Sequence, residues 1–532
     1  MEAERYLAAD FRLHNDPSLL PDIGPAIDRL VKAVRRRETV GVFGDFDADG
    51  VTGTALLVRA LSRLGLRVVP YVPHRVEEGH GLSPQAVDHM RRAGVALLVT
   101  VDCGVGSAQE IALAASKGMD VVVTDHHVVT EALPPALAVV DPSRPDSRYP
   151  FSELTGVGLA FKLVEALYDA LGRPWPEDLL ELVALGTVAD SGPLLGENRY
   201  LVKAGLRVLR TTSHPGLRAL AEQASLPLAQ VDTEALAFGL IPRLNAAGRM
   251  DHPAVSLDLL LADSYERAAA IALRLERWNR ERQAATERAM VQALRQLHGK
   301  APDGRVPPLL VVGHPDWSPG IVGLVAARLC ERFYRPAVAI SKGPQVSVAS
   351  ARSIPEVSIV KALSQVEHLF VRYGGHPRAA GFAIPTHRLG RLEQELTEVV
   401  GRGLPQAQEL APTLDVDCQA ELEDLDRQAV DFMASMAPFG EGNPEPVFLT
   451  RGVRVLEARR VGQREDHLKL RVQHGGAYRD AIAFRQGEHA RWAHGQVDLV
   501  YNLTLNTWGG QERIELRVLD FRPSGGSTGR LL

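Results

Sequence analysis

The chain runs to 532 residues, of which 45% are hydrophobic and 23% charged, the balance of a water-soluble globular protein. That length exceeds what one core organises and points to three or four domains. A net charge of −5 excludes a protein that coats nucleic acid by bulk positive charge, while leaving room for a local basic groove or a metal pair at a phosphate. Three cysteines, Cys103, Cys330 and Cys418, make neither a disulfide frame nor a four-ligand zinc site and suit a reducing compartment. No apolar run approaches the ~18 residues that span a bilayer. Met1–Asp10 lacks the apolar stretch of a signal peptide, so a cytoplasmic protein with no membrane partner is expected. Arginine outnumbers lysine fifty-two to eight. Arginine favours bidentate phosphate contacts, but the accompanying Ala/Leu richness fits a GC-rich genome as the main cause.

A polar lead-in with short helical pieces fills about residues 1–30. From Thr39 the pattern alternates. Strands are expected at Thr39–Phe43, Arg67–Val72, Val95–Val101, Val121–Thr124 and Ala138–Val140. Helices are expected at Val51–Leu64, Ser83–Ala93 and Ser107–Lys117, the second capped by Ser83 with Pro84 behind it and the third stopped by Gly118. Alternation of this kind predicts a doubly wound parallel sheet. A mainly helical stretch follows from Gly156 to about Gln230, with Leu182–Ala189 read as one more strand. Asp263–Leu297 has no Gly or Pro and predicts a single long helix bridging two domains. Gly299–Pro308 is a natural boundary. A second, smaller α/β unit is expected beyond it, with strands Leu309–Val312, Ala337–Ser341 and Val346–Ser350 and helices Gly320–Arg332 and His387–Val400. From Ala411 short alternating runs appear at Val447–Phe448, Val453–Ala458, Leu468–Val472, Ala481–Phe484, Val497–Thr504 and Arg513–Leu519. They predict a small all-β barrel, with an oligonucleotide-binding (OB) fold as the leading candidate.

Five polar clusters recur along the first half, each where an expected strand stops. Asp45, Asp47 and Asp49 follow Thr39–Phe43, Asp102 follows Val95–Val101, Asp125-His126-His127 follow Val121–Thr124, Asp141 follows Ala138–Val140 and Asp190 closes Leu182–Ala189. Ligands of parallel sheets gather at carboxyl ends of strands. Carboxylates and imidazoles collected there suit Mn²⁺ or Mg²⁺. In Gly44–Gly50 the three acids alternate along an extended loop, so two can hold metal while the third accepts hydrogen bonds or orients a water. The segment opens like a calcium loop, but Leu56 stands where that loop needs Glu.

Gly-Asp-Phe-Asp-Ala-Asp-Gly, Asp-Cys-Gly, Asp-His-His and Gly186-Thr-Val-Ala-Asp190 resemble the four motifs of the DHH phosphoesterases. Gly374-Gly375-His376-Pro-Arg-Ala-Ala-Gly381 resembles the signature of the DHHA1 domain. Pro242–Arg249 and His314–Val325 are similar to stretches of its bacterial single-strand-specific exonuclease branch. The likeness spans roughly Val40 to Phe521. It implies a DHH domain over residues 1–255 with the lead-in, a connecting helix over 256–300, a DHHA1 domain over 301–405 and an OB domain over 406–532. It implies two metals, Mn²⁺ or Mg²⁺, one held by Asp47, Asp102, His126 and Asp190, the other by Asp45 with Asp102 bridging. Asp49, His127 and His376 become catalytic candidates, with His127 facing the substrate. Small-substrate relatives carry a His where this chain has Gly41, which favours the exonuclease branch and leaves the second metal fewer protein ligands.

Ser350, Arg352, Gly374 and Gly375 are candidates for a terminal phosphate, because glycines admit backbone amides and arginine offers a planar fork. Asn245 and Arg249 are further phosphate candidates. Tyr501, Trp508, Tyr478 and Phe484 could stack bases, although most barrel aromatics are core. The activity so implied is 5′-to-3′ degradation of single-stranded DNA to 5′-mononucleotides, in recombination and repair. Single-strand-binding protein and recombination or mismatch-repair proteins are the expected partners. The alternatives are a phosphodiesterase of small nucleotides or oligonucleotides, and a non-catalytic scaffold.

Overall fold

A computed structural model describes residues 2–129, 132–300, 306–404, 410–462, 464–506 and 512–525. It divides into two compact units, one of residues 1–14, 193–203 and 413–532, the other of residues 15–192 and 204–412. Helix α1 (Glu2–Ala8) belongs to the first.

The larger unit begins with α2 (Ile23–Arg36) and then alternates β1 (Thr39–Gly44), α3 (Ala48–Arg63), β2 (Arg67–Tyr71), α4 (Pro84–Arg92), β3 (Leu97–Val101), α5 (Ala108–Ser116), β4 (Asp120–Thr124) and β5 (Ala138–Val140). The strands pair in parallel in the order β2-β1-β3-β4-β5. Parallel strands covered on both faces read as unbroken apolar runs; Leu97–Val101 is buried at every position. Phe43, Met90 and Leu98 pack on one face, while α3 packs against α6 (Gly156–Ala170) and α7 (Leu180–Ala189). The order reverses at β1, so the crevice between the carboxyl ends of β1 and β3 is the switch point where ligands of such sheets bind.

Leu182–Ala189 is the back of α7, a helix, and not a strand; Asp190 is its C-cap. A run apolar on all sides fits a buried strand or a buried helix equally, and periodicity cannot separate them. Helix α8 (Gly196–Leu209) passes from the first unit into the second. Then come α9 (Pro215–Gln223), α10 (Thr233–Ala235), a π-helical turn Leu236–Leu240, α11 (Ile241–Met250) and α12 (Ala254–Leu260).

Helix α13 (Tyr265–Lys300) is 36 residues long, about 54 Å at 1.5 Å per residue. Its first half packs on α9, α11 and α12. Its second half gives Ala289, Met290, Ala293 and Leu297 to the core of a second sheet. That sheet comprises β6 (Leu310–His314), β7 (Ala337–Ser341), β8 (Val346–Arg352), β9 (Arg372–Gly375) and β10 (Ala379–Pro385), with α14 (Pro319–Phe333), α15 (Ile359–Ser364) and α16 (Leu389–Gly403). Its order is β6-β7-β8-β10-β9, parallel only between β6 and β7. No helix among the described residues is long and apolar enough to cross a membrane.

The smaller unit holds β11 (Cys418–Gln419), α17 (Arg427–Ser435), β12 (Phe448–Val461), β13 (His467–His474), β14 (Ala477–Ala483), β15 (Gln496–Asn506) and β16 (Arg513–Pro523). Strands β12-β13-β14-β16-β15 close into a barrel through a β12–β15 pairing. Two strands expected near Phe448 and Val453 are one, β12, bulged between Thr450 and Val453. Buried Arg199 sews this unit together. It donates to Tyr6 O at 3.0 Å, Met436 O at 2.7 Å and Pro438 O at 3.1 Å.

His214, at the start of α9, supplies a stability test in the larger unit. Its Nδ1 accepts from Gly216 N at 3.0 Å, and its Nε2 donates to Leu260 O at 2.9 Å. Burial pushes its pKa down to about 4. The unfolded chain therefore takes up a proton below about pH 6.5 that the folded chain refuses. Stability is whole above that pH and falls towards pH 4, by at most about 3.4 kcal/mol at 1.36 kcal/mol per pKa unit. Urea unfolding of His214→Asn, which keeps a capping oxygen, should show a shallower acid loss than wild type; parallel pH curves would refute this.

Candidate metal and phosphate site

The chain leaves the ends of β1, β3 and β4 by one further ladder bond each: Asp45 N to Val101 O, Asp102 N to Thr124 O and Asp125 N to Val140 O. The acids are thereby lined up along one sheet edge. Asp47 caps α3, accepting from Asp49 N at 3.0 Å and Gly50 N at 3.2 Å. Asp49 turns inward in the first helical turn. Its two oxygens accept from Gly156 N at 2.6 Å and Val157 N at 2.9 Å, at the start of α6. Asp102 holds a left-handed backbone, φ 61°, which Asp and Asn tolerate better than other side chains. Two glycines make this approach possible. A Cβ at Gly156 would lie 2.4 Å from Asp102 Cβ, and one at Gly186 would lie 2.7 Å from Asp49 Oδ1.

Three overlapping ligand sets result, each with donor atoms within 4.8 Å of one another: Asp45, Asp47 and Asp102; Asp49, His126 and Asp190; Asp102, His126 and His127. His126 Nε2 lies 2.9 Å from Asp102 and 3.9 Å from Asp190. Asp47 groups with Asp45 and Asp102, and Asp49 groups with His126 and Asp190, while the charge of Asp47 still acts on both His126 and Asp190.

The electrostatics ask for a cation. Burial and the neighbouring Asp49 push Asp102 well above the usual carboxylate range. Burial, then Asp190, raises Asp49 to about 7; burial, then Asp47, raises Asp190 to about 7. Burial, then Asp45, raises Asp47. Asp45 Oδ1 is buried with no hydrogen-bond partner. A hard divalent ion fits such donors, since it repays their desolvation and separates their charges. Burial keeps His126 below the ordinary imidazole range, in the neutral form that metals bind. His127 is the opposite case. Its Nδ1 lies 2.7 Å from Asp125 Oδ1, and that hydrogen bond raises its pKa to about 9. Asp125 is buried, yet the bond from His127 keeps it low. Asp141, raised to about 6 by burial, stands behind this pair and is braced by Ser143.

Two residues went unnoticed in the sequence. His80 Nδ1 lies 3.0 Å from Asp45 Oδ2. Arg75 sits over the Phe46 ring, 4.8 Å from its centre, with its charge towards Asp47 and Asp45. Both lie between β2 and α4, again past the carboxyl end of a strand, which was the available signal. The Gly41 position, by contrast, points into apolar packing; a Cβ there would be 2.8 Å from Met90 Sδ.

The second sheet brings His376 to the site. Its ring stacks on His127 at 6.4 Å between centroids, tilted 12°. Gly374 and Gly375 are exposed at the end of edge strand β9. At the end of β8, Arg352 Nη1 donates to Ser350 Oγ at 2.9 Å, and α14 passes so close that a Cβ on Gly323 would lie 3.4 Å from Arg352 Nη2. Asn245 and Arg249 share α11, and Arg249 Nη1 donates to Gly320 O at 3.1 Å, at the start of α14. Burial, then the charge of Arg75, lowers Arg249 to about 9. The barrel corrects one expectation. Tyr501 is wholly buried and bonded to Thr450 Oγ1 at 2.7 Å, so it is core and not a stacking platform. Tyr478 and Phe484 are half exposed, and Trp508 lies outside the described residues.

A parallel sheet with its acids at the switch point and a mixed sheet reaching over them is the architecture of the DHH/DHHA1 phosphoesterases. Family models agree: the DHH family N-terminal domain matches residues 39–187, the DHHA1 domain 307–402 and the RecJ OB domain 416–520. A single-stranded-DNA-specific exonuclease RecJ of Dickeya dadantii is 37% identical over 527 residues, covering 94% of this chain and 91% of the relative. The chain belongs to the RecJ family. The Bacillus subtilis exonuclease of that name is 33% identical over 509 residues; the match takes in 95% of this chain but only 64% of that longer protein. The crystal structure of Thermus thermophilus RecJ with Mn²⁺ superimposes with a TM-score of 0.83 at 34% identity, over 96% of this chain and 73% of that one; the same protein with Mg²⁺ gives 0.77 at 32%, over 98% and 75%.

Crowded carboxylates make a direct prediction. Mn²⁺ should raise the melting temperature of wild type, since saturating a site a hundredfold above Kd adds about 2.7 kcal/mol. Asp102→Asn should be as stable as wild type or more so without metal and should lose most of the Mn²⁺ response. Equal Mn²⁺ shifts in the two proteins, read by differential scanning calorimetry, would exclude Asp102 as a ligand.

Proposed function

We propose that the chain is a metal-dependent exonuclease that degrades single-stranded DNA from its 5′ end to 5′-mononucleotides in recombination and repair. The observation that carries this is one continuous edge. The overlapping ligand sets around Asp102 and His126 are faced by His376, while Arg249 and Arg352 carry no carboxylate partner among the described residues. The named activity of the relatives supports the same reading.

Asp45, Asp47, Asp102, His126 and Asp190 would hold Mn²⁺ or Mg²⁺, as two ions sharing Asp102. When bound, the metal would supply charge neutralisation at the scissile phosphate and a lowered pKa for the attacking water. Asp49 fixes the geometry by clamping α6, which keeps Gly156 against Asp102. His127, held at Nδ1 by Asp125 and protonated at neutral pH, offers Nε2–H to a phosphate oxygen or to the leaving oxygen. Ser350, Arg352 and the glycines before His376 receive the 5′-terminal phosphate and so set polarity. Single-strand-binding protein is the partner such a substrate calls for. Product analysis on 5′- and 3′-labelled strands with Mn²⁺ tests the whole reading. Mononucleotides released from the 5′ end are expected; preferential cleavage of dinucleotides over long strands would favour a small-nucleotide phosphodiesterase.

Asp47→Asn keeps an oxygen for the α3 cap but loses the charge, so hydrolysis should fall at least ~10–100-fold with the fold intact. Arg352→Ala should lose most of the preference for 5′-phosphorylated over 5′-hydroxyl strands. One charge-assisted contact of about 1.5–3 kcal/mol corresponds to roughly 10–150-fold. The rate ratio of the two strands, wild type against variant, decides; an unchanged ratio removes Arg352 as the end reader.

The barrel is tested by Phe484→Ala rather than by deletion, since residues 1–14 and 193–203 belong to the same unit. A stacked base contributes ~1–3 kcal/mol, so affinity for a long strand should drop while dinucleotide hydrolysis holds. Unaltered long-strand affinity would take Phe484 out of the binding surface.

A further inference from the structure

Helix α13 carries a guanidinium that the site described so far does not use. Arg282 lies on the inward stripe of the helix, one turn from buried Asn279 and one turn from buried Thr286. Its Nη2 donates to Asn279 Oδ1 at 2.8 Å, and Thr286 Oγ1 donates to the Arg282 carbonyl at 2.8 Å. Its Nε is buried with no partner, and among the described residues no carboxylate stands within ion-pair distance of it. Its neighbours are paired. Arg243 of α11 meets Glu276 of α13 at 2.7 Å, and Arg328 of α14 meets Glu287 of α13 at 3.1 Å. Arg282 sits on α13 between those two acids and has neither. The charges acting on it are those of Arg328 and Arg243, and it in turn acts on Arg249. A desolvated cation among cations is costly unless an anion completes it.

We propose that Arg282 binds a backbone phosphate of the DNA strand, extending the phosphate track of Arg352 and Arg249 onto the long helix. This rests on the strand-cutting reading. The guanidinium fork and the unfilled Nε suit a phosphodiester oxygen, and a phosphate contact reads no sequence.

The test is binding of a 5′-phosphorylated oligothymidylate, in EDTA so that no turnover occurs, followed by fluorescence anisotropy across a salt series. Each phosphate neutralised on a single strand contributes about −0.7 to the slope of log K against log salt. Arg282→Gln should weaken binding about tenfold at low salt and flatten the slope by about that amount, whereas Arg282→Lys should keep the slope. Arg282→Met, which retains the packed stem, makes the same measurement if the Gln variant does not fold. A purely structural arginine would alter melting but not the slope. A wild-type slope in the Gln or Met protein overturns the proposal while leaving the nuclease intact; a wild-type chain that neither binds nor cuts the strand overturns both.

Discussion

Four crowded carboxylates meet in one crevice, Asp49 and Asp102 buried and Asp47 and Asp190 nearer its mouth, and the rest of the structure is arranged around keeping them there. Asp47, Asp49, Asp102 and Asp190 are each driven towards the neutral form by burial and by a neighbouring acid, which for Asp47 is Asp45. Proteins tolerate this where a cation returns the energy. The surrounding features each serve that crowding. Asp49 is anchored by two amides at the start of α6, Asp47 by two at the start of α3, and helix N-termini favour negative charge. Gly156 and Gly186 carry no side chain because a Cβ would occupy the space of Asp102 or Asp49. The arrangement exchanges metal-free stability for a preorganised ligand set, the usual bargain at catalytic sites.

Two kinds of sheet divide the work. The parallel sheet delivers Asp45, Asp47, Asp102 and the Asp125-His126-His127 cluster to one edge, because all its strands end on the same side, and the C-cap of α7 adds Asp190. The mixed sheet delivers a hairpin, β9–β10, whose turn sets His376 against His127. Helix α13 belongs to both cores and fixes their separation. A guanidinium anchored at the end of β8 and another on α11 are then joined through the start of α14, which touches both.

Most of the fold was legible in the sequence, and the exceptions have physical causes. Parallel strands buried on both faces announce themselves as apolar runs, and Ser83-Pro84 or Lys117-Gly118 mark helix ends whatever surrounds them. Leu182–Ala189 misled because a helix buried on every side loses its period. Asp190 was nonetheless placed at the site, because its value lay in ending an apolar element and not in the element's type. The metal acids were legible as a set, with Asp47 beside Asp102, but the place of Asp49 beside His126 was not, because it depends on the direction of side chains in the first turn of α3. His80 and Arg75 escaped because a lone His or Arg in a loop carries no spacing. Tyr501 escaped in the other direction, since alternation in a barrel strand does not reveal which face is core until the barrel closes.

The arginines tell binding from structure by their partners. Arg29 bonds Asp120 and Glu38, Arg144 bonds Asp22 and Asp146, and Arg59 bonds Asp178 and Glu181. Arg199 has no carboxylate partner among the described residues, yet the carbonyls of Tyr6, Met436, Ala437 and Pro438 take up its donors. In a chain with net charge −5, acids are not scarce. Arg75, Arg249 and Arg352 nevertheless stand without an ion pair among the described residues. Their lowered pKa values, caused first by burial, measure what the folded protein forgoes by leaving them so. A phosphate chain running past them would supply the missing charge, and water cannot do so at the same strength in a partly desolvated cleft. The local basic surface that composition left open is therefore made by withholding acids from a few arginines rather than by adding bases.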